Sequence, residues 1–102
     1  MPAILYCVVL VNKKTQKREC IKIGIAKGNS YRDAIKRAGG FKGYEIRIQK
    51  IVQGGLEDIY YLEQYLHELW AHKKYIPKEK FGGYTELFEM DPEIIRSIPK
   101  TV

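Results

Sequence analysis

Nine consecutive apolar residues, Ala3 to Val11 (AILYCVVLV), most constrain what this chain can fold into. A half-wetted sheet face would show polar residues at every second position, so an unbroken run needs cover on both faces. The run is far short of the ~20 residues that span a bilayer. It therefore predicts a central strand, bounded by Pro2 and Asn12, with further elements layered on both sides. No basic segment precedes it and no small-residue cleavage site follows, so it reads as a strand and not a signal peptide. The expectation is an intracellular, cytoplasmic protein with no membrane association. The 102 residues suit a single domain, 1–102, and the 45% hydrophobic content supplies its core.

The other elements follow from periodicity and breakers. Residues 12–19 are polar and basic and read as a hairpin connection. Residues 20–26 return as a second strand, with Ile21, Ile23 and Ile25 on one face and Cys20, Lys22 and Gly24 on the other. Gly28, Asn29 and Ser30 form a turn before a short basic helix from Tyr31 to Ala38, stopped by Gly39-Gly40. Residues 44–52 alternate as a third strand: Tyr44, Ile46, Ile48 and Lys50 face one way, Glu45, Arg47, Gln49 and Ile51 the other. Gly54-Gly55 breaks it. Residues 56–75 carry Ile59, Leu62, Leu66, Leu69 and Trp70 at helical spacing, and Pro77 ends that helix. Tyr84 to Phe88 is short and extended, and Asp91 caps a last helix from Pro92 to about Ile98. The expected fold class is α+β: a small three-stranded antiparallel sheet flanked by helices, in the order β-β-α-β-α-α.

Charge is unevenly spread. Residues 1–50 hold 12 Lys or Arg against 3 acids, whereas residues 51–102 hold 6 against 9. A basic half points to a polyanionic partner, most simply nucleic acid, or else to a solvated basic surface. Cys7 and Cys20 read as reduced core thiols on neighbouring strands, with a disulfide across the hairpin as the alternative. No Cys or His spacing matches a zinc site.

Four residues stand in an order that carries chemistry. Lys22 ends a short strand segment at Gly24, Arg32 follows that Gly by eight residues, and Glu63 follows Arg32 by thirty-one. They supply a strand-borne polar group, a phosphate clamp and a metal ligand, the parts needed to cut a phosphodiester bond. Glu63 projects to the edge of its helix's apolar stripe, beside Ile59 and Trp70, where a half-desolvated carboxylate calls for a cation. One carboxylate with waters and a substrate phosphate is an ordinary Mg²⁺ arrangement; the alternative is a structural pair with a lysine such as Lys22. Arg32 offers a planar fork to a phosphate, with Lys36 one turn on, or both belong to a solvated helix face. Tyr6 lies on the strand paired with that of Lys22. A tyrosine, with an ordinary pKa of about 10, acts as a base only with a cation nearby; otherwise Tyr6 is a core aromatic and Lys22 an outward lysine. Gly24 allows close approach of backbone and substrate. Lys27, Arg37 and Lys42, with Lys13, Lys14, Lys17 and Arg18, form a face suited to non-specific phosphate contacts. His67, one turn past Glu63, reads as a surface histidine. Glu86 reads as a tie to a basic neighbour, and Tyr60, Tyr61 and Tyr65 as packing or rim residues.

From about Leu5 to Phe88 this arrangement resembles the GIY-YIG nuclease superfamily, in the branch with a Lys-Ile-Gly second motif found in phage and other mobile elements. The first motif falls on Ile4-Leu5-Tyr6, where only the Tyr matches, and the second on Lys22-Ile23-Gly24. The family's helical Arg falls on Arg32 and its metal-binding Glu on Glu63. Gly83-Tyr84-Thr85-Glu86-Leu87-Phe88 resembles a Gly-x-x-Glu-x-Phe segment that closes domains of this branch. The resemblance implies a metal-dependent endonuclease, with catalytic Tyr6, Lys22, Arg32 and Glu63, Mg²⁺ or Mn²⁺ on Glu63, and nucleic-acid contacts from Gly24, Lys27, Lys36, Arg37 and Lys42. DNA is expected ahead of RNA. One such site cuts one strand, so a double-strand cut would call for a homodimer. Two alternatives stand beside it: a module of the same fold that binds nucleic acid without cutting, and a phage factor that acts by binding a host protein.

Overall fold

The computed structural model describes residues 1–30, 32, 43–77 and 86–102. Four strands form one antiparallel sheet: β1 (Pro2–Asn12), β2 (Arg18–Lys27), β3 (Tyr44–Gly55) and β4 (Leu87–Glu89), in the order β3-β1-β2-β4. Two helices accompany them, α1 (Leu56–Leu69) and α2 (Pro92–Ser97), with a 3-10 turn at Ala71–Lys73. Arg32 has helical backbone; the rest of the helix expected over Tyr31 to Ala38 lies outside the described residues. No helix among the described residues is long and apolar enough to cross a membrane.

β1 is central, as its apolar run requires, and every residue from Ala3 to Val11 is buried. Its odd positions Leu5, Cys7 and Val9 join Ile21, Ile23, Val52 and Phe88 on the face covered by Ile59 and Leu66 of α1, Ile94 of α2 and Ile98 just after it. Its even positions Ile4, Tyr6, Val8 and Leu10 join Cys20 and Leu87 on the second face, flanked by Tyr44, Ile46, Ile48, Ile51 and Tyr75. The two cysteines are free, and they lie on opposite faces of the sheet, so no disulfide bridges the hairpin.

Three expectations need correcting. The sheet has four strands, not three, because Leu87–Glu89 pairs along β2 from Lys22 to Cys20. The alternation of the third strand does not run through. Cys7 pairs with Lys50 and Val8 with Ile48, so Gln49 is an extra residue in a β-bulge. The bulge reverses the phase: Ile51 rejoins Ile46 and Ile48 on the second face, and Lys50 turns to the first, where its Nζ donates to the Ile98 carbonyl at 2.5 Å. The long helix stops at Leu69 instead of reaching residue 75. Trp70 turns out of the helix with its indole N–H donating to Ser97 Oγ at 2.9 Å. Lys74 then bridges to Phe88, and the Tyr75 N–H donates to the Leu87 carbonyl at 3.1 Å. Those backbone bonds to β4 divert the chain into extended structure before Pro77 is reached. The last helix begins as expected, with Asp91 Oδ1 accepting from the Glu93 N–H at 3.0 Å.

Leu66 is fully buried between α1 and the sheet, whereas Leu69 on the same helix is 42% exposed. Leu66→Ala should cost about 2–5 kcal/mol, and Leu69→Ala should fall within about 0.5 kcal/mol of wild type in urea unfolding. Equal costs would mean that α1 does not dock through this face.

Candidate active site at the edge of the second strand

Among the described residues β4 pairs with β2 from Cys20 to Lys22, and side chains from both faces of the sheet meet at that edge just beyond Lys22. On the second face, Tyr6 and Gly24 are direct cross-strand partners. A Cβ on Gly24 would lie 2.5 Å from Tyr6 Oη, 2.7 Å from Cζ and 3.1 Å from Glu86 Oε2. The glycine is therefore a steric need: it makes the notch that takes the phenol ring and lets the Glu86 carboxylate approach. Lys22 Nζ lies 3.5 Å from Glu86 Oε2 and 5.6 Å from the centroid of the Tyr6 ring. Lys22 is 4% exposed and Tyr6 only 1%. Lys22 is thus a buried cation with a carboxylate partner and not an outward strand lysine.

On the first face α1 supplies Glu63 and, one turn on, His67. Glu63 is buried, in line with its position on the apolar stripe. It does not pair with Lys22, which is held by Glu86. Burial drives the Glu63 carboxyl pKa above its ordinary value, the nearby Glu86 carboxylate raises it further, and a hydrogen bond from Gln64 and the charge of Lys74 pull the other way. His67 is not a surface histidine. Its Nε2 lies 3.1 Å from the Ile23 carbonyl of β2, and its ring stands edge-on to Phe88 with centroids 5.0 Å apart. Lys74 Nζ sits 3.5 Å from His67 Nδ1 and 4.6 Å above the Phe88 ring. Burial lowers the pKa of Lys74, which the Glu86 and Glu63 carboxylates oppose.

The fold thus brings together Tyr6, Lys22, Gly24, Glu63, His67 and Glu86 of the residues singled out from sequence, and adds Lys74. The spacing of His67 from Glu63 is a legible signal, since residues four apart share a helix face. Lys74 carries none, because its place depends on the bridge to Phe88. Arg32 is exposed, as is Lys27 at the end of β2; Lys36, Arg37 and Lys42 lie outside the described residues. Among the described residues no three His, Cys, Asp or Glu side chains come together to hold a metal ion. The coordination open to Glu63 is the sparse kind, one carboxylate completed by water and a ligand oxygen.

Comparison with protein-family models, curated proteins and solved structures found no match to this chain.

Glu63 lets stability be read against pH. A carboxyl whose folded pKa is raised binds its proton more tightly in the native state, so stability falls as pH rises from the unfolded value near 4.5 through the folded one. Glu63→Gln should therefore raise the thermal midpoint at pH 7.5 in EDTA, with the gain disappearing below about pH 4.5. A destabilised Gln variant at pH 7.5 would show that Glu63 is held by a structural cation.

Proposed function

We propose that this chain is a metal-dependent endonuclease of GIY-YIG type, hydrolysing phosphodiester bonds in nucleic acid, with DNA the expected substrate. The observation that carries the reading is the buried Glu63 carboxylate, whose charge is opposed by Glu86, the acid that pairs with Lys22 beside the Tyr6–Gly24 notch. Groups whose ionisation the protein opposes at a junction of charged side chains are the usual mark of a working site.

The residues divide the work of cutting. Tyr6 Oη, at the Gly24 notch, orients and deprotonates the attacking water, and the Lys22 ammonium favours negative charge building on that oxygen. Glu86 fixes Lys22 in place and balances its charge. Exposed Arg32 grips the scissile phosphate with its planar fork. Glu63 holds Mg²⁺ or Mn²⁺ through one carboxylate. That ion, when bound, supplies positive charge against the extra charge of the phosphorane-like transition state.

One observation favours a second reading. Tyr6 is 1% exposed, which suits a core aromatic in a module that binds nucleic acid without cutting it. The two readings separate in a cleavage panel of labelled single-stranded, duplex and branched DNA and RNA, run with Mg²⁺, Mn²⁺ or EDTA. The nuclease reading expects metal-dependent cutting that falls about 10²–10³-fold in Arg32→Ala and Glu63→Ala. Tyr6→Phe should cost about 10²–10⁴-fold while the protein stays folded. Binding without cutting in every lane would select the second reading, and full activity in Glu63→Ala would sink the site assignment.

A further inference from the structure

Lys73 and Lys74 are neighbours in sequence with opposite surroundings. Lys73 Nζ faces acids beyond the site, 3.5 Å from Asp91 and 3.8 Å from Glu89. Lys74 instead turns towards the Glu63–Glu86 junction. Its backbone is fixed by the bridge to Phe88, and its side chain runs over the Phe88 ring. His67 anchors the tip. The Ile23 carbonyl can only accept, so His67 Nε2 carries the hydrogen, and in the neutral ring Nδ1 presents a lone pair. An ammonium can only donate, so the 3.5 Å approach of Lys74 Nζ to Nδ1 has Lys74 donating. Burial favours the neutral ring that this contact requires.

We infer that Lys74, aimed by His67, is a phosphate-binding residue of the site. It would contact a non-bridging oxygen of a nucleic-acid strand on the α1 side of the sheet, while Lys22 serves the opposite face. The inference rests on the nucleic-acid reading above and names a contact which that reading does not contain. Three N–H donors let the ammonium hold His67 and meet a phosphate oxygen together. Its charge interacts with that of Glu63, so the oxygen it contacts would lie towards the carboxylate proposed to hold the metal. His67 is a positioning residue here: it touches Lys74 and the β2 edge, not the strand.

The test is binding of a labelled single-stranded oligonucleotide, followed by anisotropy in EDTA between about 50 and 200 mM salt. Lys74→Met should weaken binding about fivefold at the low end and flatten the log–log salt dependence by about 0.7, the share of one phosphate on a single strand. Lys73→Met removes the same charge one residue away and should leave the slope unchanged, and Lys74→Arg should restore most of the affinity. His67→Ala should weaken binding in the wild-type background and add nothing in the Lys74→Met background, a non-additivity that general loosening of the fold would not give. Equal losses in Lys73→Met and Lys74→Met, or no loss in either, would overturn the assignment. So would the absence of oligonucleotide binding by the wild type, which would also remove the nucleic-acid reading. Binding without metal-dependent cutting would remove the nuclease reading alone, and the variants would still decide the contact.

Discussion

Burial of β1 on both faces is the constraint on which the rest of the structure depends. A strand with no wetted side chain from Ala3 to Val11 must be central, must have partners on both edges, and must have apolar residues facing it from above and below. β2 and β3 supply the edges, and the residues of α1 and α2 close one face. The same demand explains the one polar intrusion. Tyr6 places a hydroxyl at the end of a ring inside that apolar run, and the missing side chain of Gly24 gives the ring room at its cross-strand position. The candidate site lies where the two-faced core reaches the edge of β2 beyond Lys22, so that groups on opposite faces come within each other's field.

Much of this was legible in the sequence, and the failures have identifiable physical causes. The β1 run and the alternation of Ile21, Ile23 and Ile25 against Cys20, Lys22 and Gly24 reported strand faces correctly, because burial imposes a period of two on a paired strand. The helical projection of Glu63 put it at the rim of an apolar stripe, and it is buried there. The bulge at Gln49 was invisible, since an added residue changes phase without changing composition, and it sent Lys50 and Ile51 to the faces opposite those expected. The end of α1 was likewise set by partners distant in sequence. Residues 70–75 keep a helical look, but Trp70 is drawn to Ser97 and Tyr75 to Leu87.

The site was half legible for the same reason. Local order and spacing revealed Tyr6, Lys22, Gly24 and Glu63, each on an element whose face could be assigned from its own segment. Pairings between segments could not be read that way. The sequence offered Glu63 as one partner for Lys22 and Glu86 as a tie to an unnamed basic neighbour, and it is the start of β4 that brings Glu86 to Lys22. His67 seemed a surface residue because the acceptor that holds it is a backbone carbonyl on a strand forty-four positions away. Lys74 is indistinguishable from Lys73 in the sequence, yet their side chains serve different acids.

Two glutamates in this chain stand in opposite surroundings. Glu19 accepts from Asn12 Nδ2 at 2.9 Å, from Tyr44 Oη at 2.9 Å and from Tyr75 Oη at 3.4 Å. Those donors lower its pKa, led by the Asn12 bond, and the Tyr44 phenol is pushed up to about 12 by its own burial and by the Glu19 it serves. Stability from Glu19 is present above the unfolded pKa near 4.5 and is lost as pH falls through the depressed folded value. Glu63 has the opposite sign. Its surroundings withhold donors sufficient to offset burial and add a second carboxylate, so its charged form is opposed at neutral pH. A fold that ties Glu19 with three side-chain donors has the means to satisfy a carboxylate. On the proposed function, a cation from outside the chain bound at Glu63 would relieve burial and the repulsion from Glu86 together.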